Sequence, residues 1–228
     1  MSLLADAWHE FNDPLSDGWT RLGEHFRMSM IALAIAAVVG LLLGVACWKL
    51  GPVAAFVAIG LGNLGRTVPT FAVMALILAL SSIGEWPAIA GLALLGLPPV
   101  LLNVYTGLQT NDPKTLEAAT GVGFGPIRRL AQVELPLALP FTFAGLQSAG
   151  VQIVATATLA GAIGAGGLGS LITAGLNTNQ NDVILAGAIP VVLLSLVVEA
   201  ALVVATRFLT PTGLRVRRRS PRTKGITA

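Results

Sequence analysis

Charge is what this sequence has least of. Only 11% of its 228 residues are Asp, Glu, Lys or Arg, against about 25% in an ordinary water-soluble domain. A chain so poor in charge cannot cover an aqueous surface, and a mean hydropathy of +0.80 makes a bilayer its expected solvent. Cysteine is nearly absent. Cys47 stands alone inside an apolar run, so no intrachain disulfide can form and a packing role is expected. The two histidines, His9 and His25, lie ahead of the first apolar run at no metal-ligand spacing, and no metal site is expected. Tyr105 and four scattered tryptophans build no aromatic cage. There is no Gly-x4-Gly-Lys-Ser/Thr loop to hold a nucleotide, and no nucleophile–base pair for a membrane-embedded enzyme. Residues 1–27 are polar and mixed, with no apolar core near the start. No cleavable signal peptide is expected, and the first apolar segment should serve as an uncleaved insertion signal.

What is present is a series of long apolar runs. Stretches of roughly 18 or more apolar residues cross about 30 Å of hydrocarbon as helices. Short segments of period-2 alternation are missing, so an all-α membrane protein is expected and not a barrel. Five spans can be drawn, at about 28–48, 52–80, 87–108, 137–160 and 183–208. The second is long and is interrupted around Asn63–Pro69. It reads either as one helix kinked at the proline or as two short pieces, and one crossing is preferred because each piece is short for a span.

The distribution of positive charge sets the expected orientation. Ten basic residues fall in two segments, Lys114, Arg128 and Arg129 in 109–136 and seven between Arg207 and Lys224. Two spans separate these segments, so both can lie in the cytoplasm. The N-terminal segment 1–27 then lies outside, carrying Asp6, Glu10, Asp13, Asp17 and Glu24 against Arg21 and Arg27. The reading is five spans, N-out and C-in. It comprises an extracytoplasmic segment 1–27, a transmembrane domain 28–208 and a basic cytoplasmic tail 209–228. That tail, with Arg215–Arg219, suits anionic lipid headgroups better than nucleic acid.

The connection 109–136 is about 28 residues long, where most helix–helix connections are about 2–8. It contains structure of its own. Asp112-Pro113 is a helix start, a helix follows through Lys114–Ala119, and Gly121, Gly123 and Gly125 should break it. A second short helix from Pro126 to Glu134 is expected to end before Pro136. The pattern is Glu117-Ala-Ala-Thr-Gly-Val-Gly123, nine residues, then Val133-Glu-Leu-Pro136. Small Ala118 and Ala119 leave a flat face for a partner's groove, Gly123 permits a tight turn, and Glu117 can pair across an interface.

That pattern resembles the cytoplasmic signature of ABC-importer permease subunits of the binding-protein-dependent (type I) family. Every spacing matches, and the one departure is Val133 where the signature has isoleucine. Asn103–Gly107, Val133–Pro140 and Ala157–Gly169 look like the osmoprotectant branch that handles glycine betaine, carnitine, choline and proline. The resemblance runs from about residue 22 to 208. It implies contact with an ATPase through Glu117, Ala118, Ala119, Gly121, Gly123, Val133, Leu135 and Pro136. It also implies two ATPase subunits carrying ATP and Mg, a second permease protomer, identical or homologous, and a separate extracytoplasmic substrate-binding protein. No cofactor is expected on this chain. A methionine or other amino-acid importer is the alternative substrate class, and an ion-coupled secondary transporter the alternative mechanism.

Three further features are weighed from the residues. Ser148, Gln152 and Thr156 recur every fourth position, with Gln147 beside them, and form a polar stripe on one helix. It suits either helix packing or the translocation path, to which Tyr105 is also assigned. Gly164, Gly166, Gly167 and Gly169 formally match a dinucleotide fingerprint, but no strand precedes them, so a backbone break at the outer mouth is the better account. Arg66 and Glu199 are the ionisable residues well inside apolar runs.

Overall fold

The computed structural model describes residues 3–81 and 84–209. Among these, every element is helical. A short α1 (Leu3–Asn12) precedes α2 (Gly18–Leu50). Next come α3 (Pro52–Thr67), α4 (Thr70–Leu80) and α5 (Glu85–Gln109). The connection to the next long helix holds α6 (Pro113–Gly121) and α7 (Pro126–Arg129), then a π turn at Leu130–Glu134. The chain continues through α8 (Leu135–Thr156), α9 (Leu159–Ala162), α10 (Leu168–Thr178) and α11 (Asn181–Leu209). The expected tail 209–228 falls outside the described residues apart from the last backbone position of α11.

Four stretches are long and apolar enough to cross a membrane: Gly18–Leu50, Glu85–Gln109, Pro126–Ala162 and Asn181–Phe208. The fifth crossing follows from packing. Gly40 of α2 backs onto Val100 of α5 and Gly44 onto Val104, so the two helices run in the same direction. The intervening chain must therefore return, and it does so as α3 and α4 in series. Ala55 lies beside Tyr105, Gly62 against Pro98 and Met74 against Gly91, which is an antiparallel course along α5. The break falls at Val68–Pro69, whose extended backbone separates the two pieces. Pro69 has no N–H to continue the ladder, and the residue before a proline is pushed out of the helical region.

The remaining passes alternate. Gly107 meets Ala138 and Phe141 while Gly96 meets Ile153, so α8 is antiparallel to α5. Gly150 meets Leu202 and Val198, and α11 is antiparallel to α8. These contacts are made at glycines because a membrane bundle gains association energy from close backbone packing and not from expelling water. The core lies where α2, α5 and α8 meet, around Met28, Ala32, Ala36, Leu92, Val100, Val104, Ala149 and Ile153.

Several boundaries differ from the sequence reading. α2 has 33 residues and starts ten positions before the first apolar run. At 1.5 Å per residue it is about 50 Å long and overreaches the hydrocarbon. His25, expected ahead of the spans, is consequently inside this helix and fully buried, with Nε2 2.9 Å from the Val154 carbonyl. α1 was hidden by its acids. Ala7 and Phe11 are buried, and α1 rests on Leu185, Ala186, Ile189 and Pro190 of α11, while Asp6 and Glu10 lower the segment's average hydropathy. The helix from Pro126 does not end before Pro136 either. Leu135 donates its N–H to the Leu130 carbonyl, five residues back. The extra residue in this wider turn makes room where the Pro136 ring would strike the preceding turn, so the helix passes straight into α8.

Candidate coupling site

At the end of the bundle where α5 stops and α8 begins, α6 stands off the transmembrane helices. Its start is capped by Asp112, whose carboxylate accepts the Lys114 N–H at 3.2 Å, with Pro113 in the first turn. Its end is a glycine turn. Phe124 N–H donates to the Ala119 carbonyl at 3.1 Å and Gly123 N–H to the Thr120 carbonyl at 3.0 Å, with Gly123 at φ +89. This is the Schellman arrangement, and it needs a residue at ease in the left-handed region. Gly123 alone meets that need. Gly121, expected to help break the helix, is its last residue, and Gly125 has an ordinary negative φ ahead of Pro126.

The signature residues divide between two roles. Glu117 and Ala118 are exposed on α6, whereas Ala119 is buried at 9% exposure and turns toward the bundle. Leu116, Glu117, Thr120 and Gly121 line an open cleft that Arg129 closes on one side. Val133, Leu135 and Pro136 are half-buried at the root of α8 and do not share the exposed face. The glutamate between them, Glu134, is 1% exposed. Its Oε1 accepts from Arg129 Nε at 2.6 Å. The same guanidinium reaches Thr120 Oγ1 at 3.0 Å through Nη1, and Asn111 Nδ2 donates to the Glu134 carbonyl at 3.2 Å. Arg128 is occupied separately, 4.5 Å over the Phe124 ring and 3.1 Å from Gln132 Oε1. Sequence reading named Arg129 only for its charge and gave neither it, Thr120 nor Asn111 a role in this site. Their only trace is the i to i+5 separation of Arg129 and Glu134, which a regular helix would not bring together and the π turn does.

The polar stripe of α8 is split. Gln147 Nε2 donates to Thr206 Oγ1 of α11 at 2.8 Å, inside a helix–helix contact. Ser148 is exposed and accepts from Gln152 at 3.1 Å on another face, with half-buried Thr156 one turn further. Tyr105 faces α3 in a cleft with Pro52, Phe56 and Asn63, while Asn103 and Gly107 of the same helix face α8. The structure therefore does not bring Tyr105 to the stripe. Glu199 is exposed on the outer face of α11, and the Arg66 side chain lies outside the described residues.

At the opposite end, the glycine run forms a close-packed break. Gly164, Gly166 and Gly167 have φ of +75, +89 and +73. A Cβ on Gly169 would fall on the Thr158 carbonyl, and one on Gly161 would fall on the Gly169 backbone. Glu24 of α2 accepts the Gly167 N–H at 2.8 Å, and Arg21 donates to Ser170. The extension of α2 beyond the apolar run is thus what holds this break. Among the described residues no cluster of metal-binding side chains occurs.

Five helical passes sealed at glycines, with a short helix latched outside them at one end, are the architecture of an importer's membrane-embedded permease subunit. The chain belongs to the family of binding-protein-dependent transport system inner membrane components, whose family model matches residues 36–211. It is 38% identical over 192 residues to the choline transport system permease protein OpuBB of Bacillus subtilis, covering 84% of this chain and 88% of that one. The glycine betaine/carnitine/choline transport system permease protein OpuCB of the same species is 37% identical over 195 residues, covering 86% and 89%. The osmoprotectant import permease protein OsmW of Salmonella typhimurium is 33% identical, covering 84% and 91%. Among solved structures, an inward-facing form of the MetNI methionine ABC transporter superposes with a TM-score of 0.73 at 23% identity, covering 83% of this chain and 94% of that one. That likeness speaks for the fold alone.

Proposed function

We propose that this chain forms the translocation path of an ATP-driven importer for a compact quaternary amine or betaine, with its N-terminus outside and α6 in the cytoplasm. The observation that carries the docking role is the exposed Glu117–Ala118 face of α6, held at the end of the bundle on Arg129. The substrate class rests on similarity to permeases of choline, glycine betaine and carnitine systems. ATP and Mg belong to two partner ATPase subunits, which seat α6. A separate binding protein delivers solute to the end of the bundle that carries the glycine break, and a second protomer, identical or homologous, completes the path. No covalent chemistry occurs on this chain. Closure of the ATPase pair moves α6, and α8 carries that movement into the bundle.

The test is a mild-detergent pull-down of the tagged chain from its native host, with mass spectrometry of the bound proteins and uptake of labelled choline and glycine betaine by cells. Recovery of a Walker-A ATPase, lost on Glu117→Arg with Gly123→Ala, is the expected result. A stable chain recovered alone, with uptake persisting after ATP depletion, would favour the secondary transporter. Uptake of methionine in place of either amine would move the substrate class.

A further inference from the structure

The docking helix has a bundle-facing side as well as an exposed one, and it is linked there by a hydrogen bond from Arg129, itself ion-paired to Glu134. Besides buried Ala119, α6 meets the rest of the chain through a short route in which Thr120 Oγ1, the Arg129 guanidinium and the Glu134 carboxylate follow one another at 3.0 and 2.6 Å. Each station belongs to a different element: Thr120 to α6, Arg129 to the end of α7, and Glu134 to the π turn that runs into α8. The carboxylate is 1% exposed and its Oε2 has no hydrogen-bond partner among the described residues. Arg129 is therefore the group that compensates this buried charge, which fixes where the guanidinium must sit. A planar guanidinium held by a carboxylate on one edge presents its remaining N–H groups in set directions. One of those directions meets Thr120. The loop between them, Val122–Gly125, is exposed apart from half-buried Phe124, so the side-chain route is a second connection beside the backbone turn.

We propose that Arg129 is a positioning residue for coupling, locking α6 to the root of α8 through Thr120 and Glu134 so that docking helix and transmembrane helix move as one body. The proposal rests on α6 being the ATPase-docking helix. It assigns the transmission step to three side chains other than the Glu117–Ala118 pair, with Thr120 at the edge of the cleft that Glu117 lines. Glu134 supplies the anchor, the π turn brings it within reach, and Arg129 spans the gap. Without the link, α6 could stay seated on an ATPase and still slide relative to α8.

The experiment uses the importer purified whole through this chain, reconstituted in liposomes with its binding protein, reading choline or glycine betaine accumulated per ATP hydrolysed. Thr120→Val removes the α6 end of the link at an exposed position and leaves the Arg129–Glu134 pair intact, so folding is not at stake. Arg129→Ala with Glu134→Leu removes the pair without stranding a buried charge. The expected result is an intact complex that still hydrolyses ATP. Solute moved per ATP should fall about fivefold for Thr120→Val and about tenfold or more for the double variant. Unchanged stoichiometry in both would overturn the proposal. Loss of the ATPase from the variants but not from the native chain would also overturn it, since the link would then serve docking and not transmission. If the native chain itself retains no ATPase, it is the docking reading that fails, and the pull-down shows that separately.

Discussion

At the scale of single residues, glycine does two different jobs here. Gly123 is required by backbone conformation, because at φ +89 it closes the end of α6 in open space where no neighbour would obstruct a side chain. Gly123→Ala should therefore cost about 1–2 kcal/mol locally. The effect should appear as weaker ATPase co-purification with normal yield of the chain. Gly169 is required by contact, since its α-carbon lies against the Thr158 carbonyl. Gly169→Ala must separate two backbones and should cost about 1–3 kcal/mol of the bundle's stability. The expected outcome is a lower melting temperature in detergent and reduced yield, and an unchanged melting curve would show that the break is looser than described. Sequence reading gave Gly123 a tight turn and placed Gly169 in a backbone break at the outer mouth, but the backbone φ and contact distances behind them are not written in residue identity.

At the scale of elements, the stripe on α8 separates into a packing residue and candidate path residues. Gln147→Leu with Thr206→Val removes one interhelical hydrogen bond between α8 and α11, worth about 0.6 kcal/mol in membrane proteins of this kind. Transport should be nearly unchanged and thermal stability slightly lowered. Gln152→Leu should instead reduce uptake with assembly intact, because Ser148 and Gln152 lie on a face of α8 turned away from Gln147. Unaltered uptake kinetics in an assembled Gln152→Leu importer would take that residue out of the path. The helix itself was legible from its apolar run. Its true start was not, because proline is read as a stop unless a π turn accommodates it, as the turn at Leu130–Glu134 does here.

At the scale of the whole molecule, the parallel pairing of α2 with α5 requires an odd number of crossings among the described helices, and α3 with α4 supplies the missing return. The start of α2 and the end of α11 then lie at opposite ends of the bundle. Orientation can be tested with a cysteine-free chain, since Cys47 is buried and dispensable for any bridge. Leu15→Cys, at 93% exposure, should react with an impermeant maleimide from outside intact cells. Val122→Cys, at 75% exposure beside α6, should react only after the membrane is opened. The reverse pattern would place α6 outside and would be incompatible with an ATPase docked on it.

What the sequence determined by itself was the class of solvent, the five apolar passes and the place of the structured connection between α5 and α8. These follow from properties that add up locally: hydropathy over about twenty residues and turn residues at fixed spacing. What only the tertiary structure decided was which polar groups meet. Glu24 reaches the Gly167 amide and Arg21 reaches Ser170 across about 140 or more residues of chain. His25 is drawn into the core beside Val154, and Arg129 joins three elements through Glu134. The long-range pairs depend on helices being brought together by close approach at glycine, and the Arg129 link on the π turn. In a bilayer, buried polar groups must find partners wherever that approach leaves them, so their pairing is decided by the assembled bundle and not by the local chain.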